Sequence, residues 1–314
     1  MNRSEFIGLG VATLAVTRLG AAGRAKTDRN LSVFLSDIHL GTKGKMTGWG
    51  EETTYQNDIF DAIVKEILAM RPLPARVVIF GDLAIWFGFA EDYQAALPGV
   101  KKLEAAGIEV IVTAGNHDHR TPLFEAYPRQ KEKTPVPGRL VSVVDLGTAD
   151  LILLDTLCEN TQGGVGAGNP AGGGIDDAQW KWFSEEVKAR TRPFFVGSHH
   201  PLHEIGGRDV RLLLTPVKNF VGWIHGHEHV WSKHWFLENW QLKRYCRVAG
   251  LPALISDDIG YATLRTGTDG AELCLEQRDF FFPKPAKPGA KRPAIWDRVV
   301  AENKGQRCHF AYEA

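Results

Sequence analysis

The sequence predicts an α/β fold organised around a sheet that is at least partly parallel. From residue 31 onward, short runs of β-branched and aromatic residues indicate buried strands, and segments with helical spacing of apolar residues separate them. Strands that alternate with helices imply βαβ units, whose ligands gather at the carboxyl ends of the strands. A chain of 314 residues with 44% hydrophobic residues can bury one large domain or two small ones, and no feature marks a second domain.

The first half of the chain alternates three predicted strands with two predicted helices. The strands are LSVFL at 31–35, RVVIF at 76–80 and IEVIV at 108–112. Apolar residues at helical spacing from Ile59 to Leu68 predict the first helix, and Pro72 marks its end. The segment EDYQAALPGVKKLEAAG predicts the second helix, with Pro98 as a kink or break.

The second half continues this alternation and then becomes rich in short strands. DLILLD at 150–155 predicts a strand, DDAQWKWFSEEVKAR at 176–190 a helix, and PFFVG at 193–197 a strand. From about residue 220 short strands dominate, with ENWQ as a hairpin turn. The glycine-rich stretch QGGVGAGNPAGGG lacks the G-K-[ST] ending of a phosphate-binding loop, so it is predicted to be a flexible loop at the rim.

Three regions are expected along the chain, with boundaries at 1–30, 31–283 and 284–314. In the first, Arg3 precedes the apolar run FIGLGVATLAV, and GAAGRA supplies small residues suited to cleavage. The run is too short to span a bilayer and resembles a twin-arginine export signal, although it has one arginine and Arg18 interrupts it. We expect an exported or periplasmic protein; the alternative is an N-terminal helix of a cytoplasmic one. The third region, beginning KPAKPGAKRP, is predicted to be an extended arm over the surface.

Charge and cysteine content restrict the function. The 37 basic and 37 acidic residues cancel, so no overall field favours nucleic acid or an anionic membrane. The cysteines, Cys158, Cys246, Cys274 and Cys308, show no C-x-x-C spacing, so neither a zinc ribbon nor a thioredoxin-type motif is indicated. They are expected to be buried small apolar residues, although export would allow some to pair. Nothing in the sequence indicates the oligomeric state.

Side chains that bind metals follow five apolar runs of the sequence. They are Asp37 and His39; Asp82; Asn116, His117 and Asp118; His199 and His200; and His225, His227 and His229. Carboxylate, imidazole and amide groups suit divalent and trivalent ions, and two ions about 3.5–4 Å apart need a carboxylate that bridges them. In an extended segment the D-x-H and H-x-H spacings place both side chains on one face. The strand ends therefore predict a centre for two metals.

The ordered set of motifs resembles the calcineurin-like metallophosphoesterase superfamily. It stands here as Asp37-Ile38-His39, Gly81-Asp82, Gly115-Asn116-His117-Asp118, His199 and Gly226-His227-Glu228-His229, within residues 31–265. The resemblance implies a four-layer α/β/β/α sandwich of two mixed sheets for region 31–283, with the metal site at the strand carboxyl ends. It also implies two divalent or trivalent ions, Fe, Mn or Zn.

The resemblance further implies a role for each residue. Asp37, His39 and His229 are expected to bind one metal, Asn116, His199 and His227 the other, and Asp82 to bridge them. The ligand of the fourth motif usually lies two residues before the proline, which selects His199 over His200; His200 is then a neighbour of the ligands or a rim residue. His225 has no counterpart and is expected to be a packed strand histidine.

The catalytic residues implied by the resemblance are His117 and Asp118. His117 is expected to face the substrate and to stabilise the phosphoryl transition state or protonate the leaving oxygen, while Asp118 fixes its orientation. A metal-bound hydroxide would attack phosphorus. The expected function is hydrolysis of a small phosphoester, by a phosphodiesterase or a phosphomonoesterase. The alternatives are a nuclease and a scaffold without activity. The neutral overall charge argues against a nuclease, and so does the lack of a basic stretch with interspersed aromatic residues.

Two segments of the sequence bear on the substrate. GDLAIWFGFAEDY and SHHPLHEIG resemble both the cyclic-nucleotide phosphodiesterase-like and the purple-acid-phosphatase-like branches. Aromatic residues of the strand-end loops are candidates to stack on a nucleobase or aryl group, and arginines to hold a second phosphate. Ordinary packing is an equal alternative for each of these candidate wall residues, which are Trp49, Trp86, Phe87, Tyr93, Arg120, His203 and Arg208.

Overall fold

The computed structural model describes residues 26–42, 54–239, 244–255, 260–277 and 305–312. Residues 1–25 of the predicted targeting segment 1–30 lie outside the described residues, so the export signal stays a prediction. Thr27 to Asn30, which were expected to belong to that segment, are instead the start of the first strand. No helix in the described part of the chain is long and apolar enough to cross a membrane.

The strands of the described residues are close to those predicted and extend them at several ends. They are β1 (Thr27–Leu35), β2 (Leu73–Phe80), β3 (Glu109–Thr113), β4 (Ser142–Asp145), β5 (Asp150–Leu153), β6 (Gly173–Gly174), β7 (Phe194–Ser198), β8 (Ile205–Gly206), β9 (Phe220–His225), β10 (Ser232–Asn239), β11 (Arg244–Gly250), β12 (Gly260–Thr266), β13 (Gly270–Gln277) and β14 (Arg307–Ala311).

The helices lie mainly between the strands of the first half and around β7. They are α1 (Thr54–Ala69), α2 (Ala90–Ala105), α3 (Arg120–Ala126), α4 (Pro128–Lys133), α5 (Asp177–Ala189) and α6 (Val210–Leu214), with a 3-10 turn at Leu202–Glu204. Asp176 caps α5 by accepting a hydrogen bond from the backbone of Gln179 at 2.8 Å. The helix α2 continues through Pro98, so the predicted break does not occur. One face of α2, including Tyr93, Val100 and Leu103, is buried, and this packing offsets the hydrogen bond that proline removes.

The strands form two mixed six-stranded sheets. The first has the order β14-β13-β12-β1-β2-β3, in which β1, β2 and β3 are parallel and the remaining neighbours antiparallel. The second has the order β10-β11-β9-β7-β5-β4, in which β11, β9, β7 and β5 are parallel. The short strands β6 and β8 pair with each other. The carboxyl ends of β1, β2, β3, β7 and β9 are the ends that the metal-binding motifs follow.

Three apolar cores separate the layers. Successive side chains of a central strand point to different cores. In β2, Val77 packs towards α1 and α2, while Val78 packs between the sheets. A third core lies between the second sheet and α5 and includes Phe183 and Trp223. Both faces of the central strands are therefore buried, which explains their continuous apolar sequences. The result is the predicted α/β/β/α sandwich of two mixed sheets.

The last part of the chain differs from the predicted arm. Residues 278–304 lie outside the described part, so an arm beginning at 284 is untested there. Arg307–Ala311 form β14, which pairs antiparallel with β13 at the edge of the first sheet. Phe310 is buried between the sheets against Phe195, with ring centroids 5.0 Å apart. This segment is thus part of the folded domain.

Candidate metal centre

The side chains predicted to bind metal converge in two groups at the strand carboxyl ends. One group contains Asp37, His39, Asp82 and His229, and the other His199, His200 and His227. Within each group the atoms able to bind a metal lie within 4.8 Å of one another. Asn116 adds its amide oxygen to the second group, because Oδ1 lies 3.1 Å from Nε2 of His199.

Asp82 lies between the two groups. Its Oδ2 is 3.7 Å from Nε2 of His39 and 3.3 Å from Nε2 of His199, so one oxygen faces both groups. Its Oδ1 is held from the opposite side by the backbone N–H of His117 at 2.8 Å. Oδ2 therefore lies between the two groups, at the position where the resemblance implies a bridging carboxylate.

The remaining ligand atoms of the first group meet closely. Nε2 of His229 lies 3.2 Å from Nε2 of His39 and 3.3 Å from Oδ1 of Asp37. The other carboxylate oxygen of Asp37 accepts hydrogen bonds from the Ser36 hydroxyl and from the backbone N–H of His227. Lone pairs of imidazole nitrogen and carboxylate oxygen therefore face a common point, which is an arrangement that a cation stabilises.

Hydrogen bonds on the outer side of the rings support the same conclusion. Nδ1 of His39 faces the carbonyl oxygen of Ile85 at 3.3 Å, and Nδ1 of His199 faces that of Phe80 at 2.8 Å. A carbonyl accepts only, so these Nδ1 atoms carry a hydrogen, and Nε2 is the nitrogen that each ring directs at the centre. Metal-binding histidines in proteins show this pattern of outer hydrogen bonds. The residues present therefore fit a metal-binding site.

The backbone at the ligands explains how they converge. Among the described residues, the positions other than glycine with positive φ are all predicted ligands, at φ between 44° and 70°: Asp37, His39, Asp82, His227 and His229. This left-handed conformation is rare for such residues. The expectation that alternation along an extended segment brings each pair together is therefore wrong. Instead, left-handed turns at successive ligands aim the side chains inward, and such strain is typical of functional sites.

Glycines allow segments of the first sheet to approach this backbone. A Cβ at Gly115 would lie 2.5 Å from the backbone nitrogen of Asp82 and closer still to its carboxylate. Gly81 has φ of 87°, and a Cβ there would lie 2.8 Å from Nδ1 of His199. Only glycine fits at these two positions.

The carboxylates give the centre a strong attraction for positive charge. Burial lowers the pKa of His199, but the charges of Asp82 and Asp37 outweigh it and raise that pKa to about 9. Burial by itself would raise the pKa of Asp82, yet the neighbouring imidazoles, His199 first, hold it well below its usual range. Both carboxylates stay ionised and available to a cation at neutral pH.

His117 stands beside the centre and not among the ligands. Its Nε2 is 3.9 Å from Oδ2 of Asp82, while its Nδ1 faces the carbonyl oxygen of Trp86 at 3.1 Å. The ring of Trp86 lies against it, with centroids 5.0 Å apart and planes inclined by 58°. The geometry leaves Nε2 directed at the centre, which suits the predicted catalytic role.

Asp118 does not orient His117, so that prediction is wrong. Its buried carboxylate accepts hydrogen bonds from the backbone N–H groups of Gly115, Leu83 and Ala84, at 2.9 to 3.1 Å for the shortest of each. None of the contacts of the described residues joins it to the His117 ring. Burial and the charge of Asp82 raise the pKa of Asp118 to about 6, although these N–H groups oppose the shift. Asp118 therefore fixes the loop that follows Asp82, and the orientation of His117 comes from Trp86.

His200 and His225, which neighbour predicted ligands in the sequence, are both buried. His200 lies beside the second group, with its ring centroid 5.0 Å from that of His227 and its Nδ1 2.8 Å from the Thr156 hydroxyl. Burial lowers its pKa to about 2. It is a neighbour of the ligands and not a rim residue. His225 is a buried residue at the end of β9, as predicted, with Nδ1 2.9 Å from the carbonyl oxygen of Gly226.

Few of the candidate wall residues face the centre. Trp86 does, whereas Tyr93 is fully buried and accepts a hydrogen bond from the backbone of His119. Arg208 pairs with Asp177 and lies over the Trp180 ring at 5.6 Å. Trp49 lies outside the described residues. Phe87 stacks edge-on against Trp86, and His203 is exposed.

Arg120 is occupied by structural partners. Its guanidinium binds both oxygens of Asp155, at 2.8 and 2.9 Å, and also contacts the carbonyl oxygen of Leu157 and Oε2 of Glu159. Its side chain and that of Asp155 are 11% and 0% exposed. The group is therefore not free to hold a substrate phosphate.

The glycine-rich stretch is attached to the centre, unlike the flexible rim loop that was predicted. The Asn169 amide donates to the carbonyl oxygens of Asn116 and Asp118, at 3.1 and 2.8 Å. Gly166 donates to the carbonyl oxygen of Phe87, and the carbonyl of Ala167 faces Nε2 of His119. Sequence reasoning missed Asn169 because a glycine-rich segment has no periodicity to indicate its contacts.

Comparisons with known proteins agree with this geometry. The chain matches the model of the calcineurin-like phosphoesterase family over residues 32–231. A dimetal phosphatase from Danio rerio has a similar structure, with a TM-score of 0.61 and 14% identity over 90% of this chain and 99% of that chain. At this identity the likeness is one of fold. A search of curated proteins found no match to the chain.

Two further solved structures have lower TM-scores. Vps29 from Chaetomium thermophilum has a TM-score of 0.36 and 9% identity over 90% of this chain and 98% of that one. A protein of Thermus thermophilus has a TM-score of 0.43 and 13% identity over 75% of this chain and 94% of that one.

Proposed function

The chain belongs to the calcineurin-like phosphoesterase family, and from that premise we propose that it hydrolyses small phosphoesters, monoesters or diesters, with two metal ions. The single observation that carries the proposal is the pair of ligand groups that share Oδ2 of Asp82, at 3.7 Å from His39 and 3.3 Å from His199. A centre for one metal needs no such shared oxygen.

The contacts within each ligand group suggest how the ligands would divide between the two ions. Asp37, His39 and His229 would hold one ion, and Asn116, His199 and His227 the other. Bound there, the ions supply a water nucleophile at neutral pH and offset the negative charge that grows on the phosphoryl oxygens.

His117 is proposed as the residue that acts on the leaving group. Its Nδ1 hydrogen is directed at the carbonyl oxygen of Trp86, so Nε2 is the nitrogen that can give a proton to the leaving oxygen. The same contact fixes the ring, so little reorientation is needed during the reaction. When it carries a charge, the ring also stabilises negative charge on the phosphoryl group.

The test combines elemental analysis with hydrolysis of p-nitrophenyl phosphate and bis(p-nitrophenyl) phosphate. We expect two metals per chain, activity that chelation removes and metal restores, and loss of both metals or of one in Asp82→Asn. Asp61→Asn is the matched control, because that carboxylate is half exposed and pairs only at 3.4 Å with Lys102 among its described contacts. It should retain both metals and full activity.

Two outcomes would reject the proposal. Fully active protein with no more than one metal per chain would exclude the shared centre. Protein that holds two metals yet hydrolyses neither ester would favour a scaffold without activity.

A further inference from the structure

Glu204 touches the second ligand group but belongs to none of the motifs that predicted it. It ends the 3-10 turn Leu202–Glu204, which follows His199 and Pro201 in the chain. Its Oε2 lies 3.0 Å from Nε2 of His227, and the two side chains are 32% and 17% exposed. The contact therefore lies at the rim of the centre, partly shielded from water.

The two ring nitrogens of His227 have different surroundings. Nδ1 lies 3.2 Å from Nε2 of His199, inside the group of ligand atoms. Nε2 faces the Glu204 carboxylate on the opposite side of the ring. A histidine that binds a metal with one nitrogen usually donates its other N–H to an acceptor. Nδ1 is thus the nitrogen available to a metal, and Nε2–H is the donor to Glu204.

The acceptor distinguishes His227 from the other ligand histidines with defined outer contacts. His39 and His199 direct their outer nitrogens at backbone carbonyls. A carboxylate forms a hydrogen bond about twice as strong as a neutral acceptor does. It also makes the imidazole more basic as a ligand, and it holds the proton on Nε2, which keeps the lone pair on Nδ1.

We propose that Glu204 is a positioning residue for the second metal, acting through His227. This inference rests on the proposed two-metal centre. Glu204 would fix the orientation and tautomer of the His227 ring, so that the second ion binds more tightly than its direct ligands alone would allow. The affinity of the first ligand group for its ion should not depend on Glu204, because the described contacts of that group do not include Glu204.

Glu228 provides a control at the same rim. The Glu228 carboxylate lies 3.8 Å from Nε2 of His203, and its side chain is 33% exposed. The other carboxylate oxygen of Glu204 lies at the same distance from that nitrogen. Its described contact is therefore with an exposed histidine and not with a ligand ring. Removing its charge tests the general electrostatic effect of a carboxylate at the rim without disturbing His227.

The experiment is calorimetric titration of the metal-free full chain with Mn²⁺. Glu204→Ala should bind one of the two ions about 10–100-fold more weakly, the usual effect of losing the carboxylate behind a metal-binding histidine. Glu204→Gln should lose less affinity, because its amide oxygen still accepts the N–H. In Glu228→Gln both affinities should change less than about fivefold, as for an exposed charge.

Equal affinities in Glu204→Ala and the unaltered chain would overturn the proposal, and so would equal losses in Glu204→Ala and Glu228→Gln. Circular dichroism of each metal-free variant checks that it is folded. If Glu204→Ala is not folded, Glu204→Gln, which keeps the side-chain shape, takes its place in the titration. Because the readout is metal affinity, a chain that binds two ions but hydrolyses no ester would reject the proposed function without affecting this result.

Discussion

Replacing Arg120 by methionine should lower the free energy of unfolding by about 3–5 kcal/mol, the usual cost of removing one partner of a buried ion pair. The loss of stability arises because the Asp155 carboxylate remains without its guanidinium partner. Asp155 is fully buried and would lose the guanidinium, with the backbone N–H groups of Leu140 and Leu157 as its remaining partners. Those two hydrogen bonds place the expected loss towards the lower end of the range.

The assay is urea unfolding of metal-free protein, so that differences in metal affinity do not alter the apparent stability. Arg129→Met is the matched control. Arg129 is 81% exposed and lies 3.7 Å from Glu104, so its loss should cost less than about 1 kcal/mol. Arg120→Met combined with Asp155→Asn should recover part of the loss, since the second change removes the unpaired charge.

Similar losses in Arg120→Met and Arg129→Met would refute this reasoning. So would a variant of normal stability whose KM rises strongly, because that result would assign the guanidinium to the substrate. The structure predicts the reverse: reduced stability, with KM nearly unchanged for the fraction that remains folded.

Two further predictions concern the residues around the centre. His117→Ala should keep both metals and lower kcat by about 10²–10⁴. If His117 is a general acid, the loss of kcat should be smaller with nitrophenyl esters than with alkyl esters. Equal losses of kcat would show instead that His117 stabilises charge in the transition state. The pair of His119 and Glu159, 3.0 Å apart, should make stability depend on pH. The hydrogen bond from Glu159 raises the pKa of His119 above 6.5, so this contribution is complete below pH 6.5 and is lost as pH rises through the raised value. Burial raises the pKa of Glu159, but His119 and Arg120 outweigh it and hold it below 4.5, so its contribution is lost only as pH falls below 4.5. The difference in unfolding free energy between the unaltered chain and His119→Gln should therefore be greatest between pH 4.5 and 6.5, and a difference independent of pH would contradict this account.

The sequence could predict which side chains meet at one edge of the sheets, because each motif is short and directly follows a strand. The parallel strands bring their ends to one edge, so a list of strand ends is also a list of neighbours in space. The choice of His199 over His200 and the bridging place of Asp82 required the family resemblance in addition. The structure brings Asp37, His39, Asp82 and His229 into one group, and His199 and His227 into the other together with His200.

Other contacts could not be predicted, because they join loops from different strands. The acceptor for His117 is a backbone carbonyl, that of Trp86, and any residue type at that position would supply it. The contact of Glu204 with His227 depends on a single 3-10 turn between two motifs. Asn169 reaches the centre from a segment whose sequence indicates only flexibility. In each case the partner lies far along the chain and leaves no periodic signal.

The left-handed backbone at the ligands also determines which substitutions are informative. Asp37 and Asp82 have φ of 52° and 51°, where most side chains other than glycine, asparagine and aspartate cost about 1–2 kcal/mol. Alanine at either position would therefore combine loss of a ligand with added backbone strain. Asparagine tolerates this conformation and keeps an oxygen, so Asp→Asn changes the charge while the backbone stays in place. A loss of metal in Asp82→Asn can then be attributed to the missing charge between the two groups.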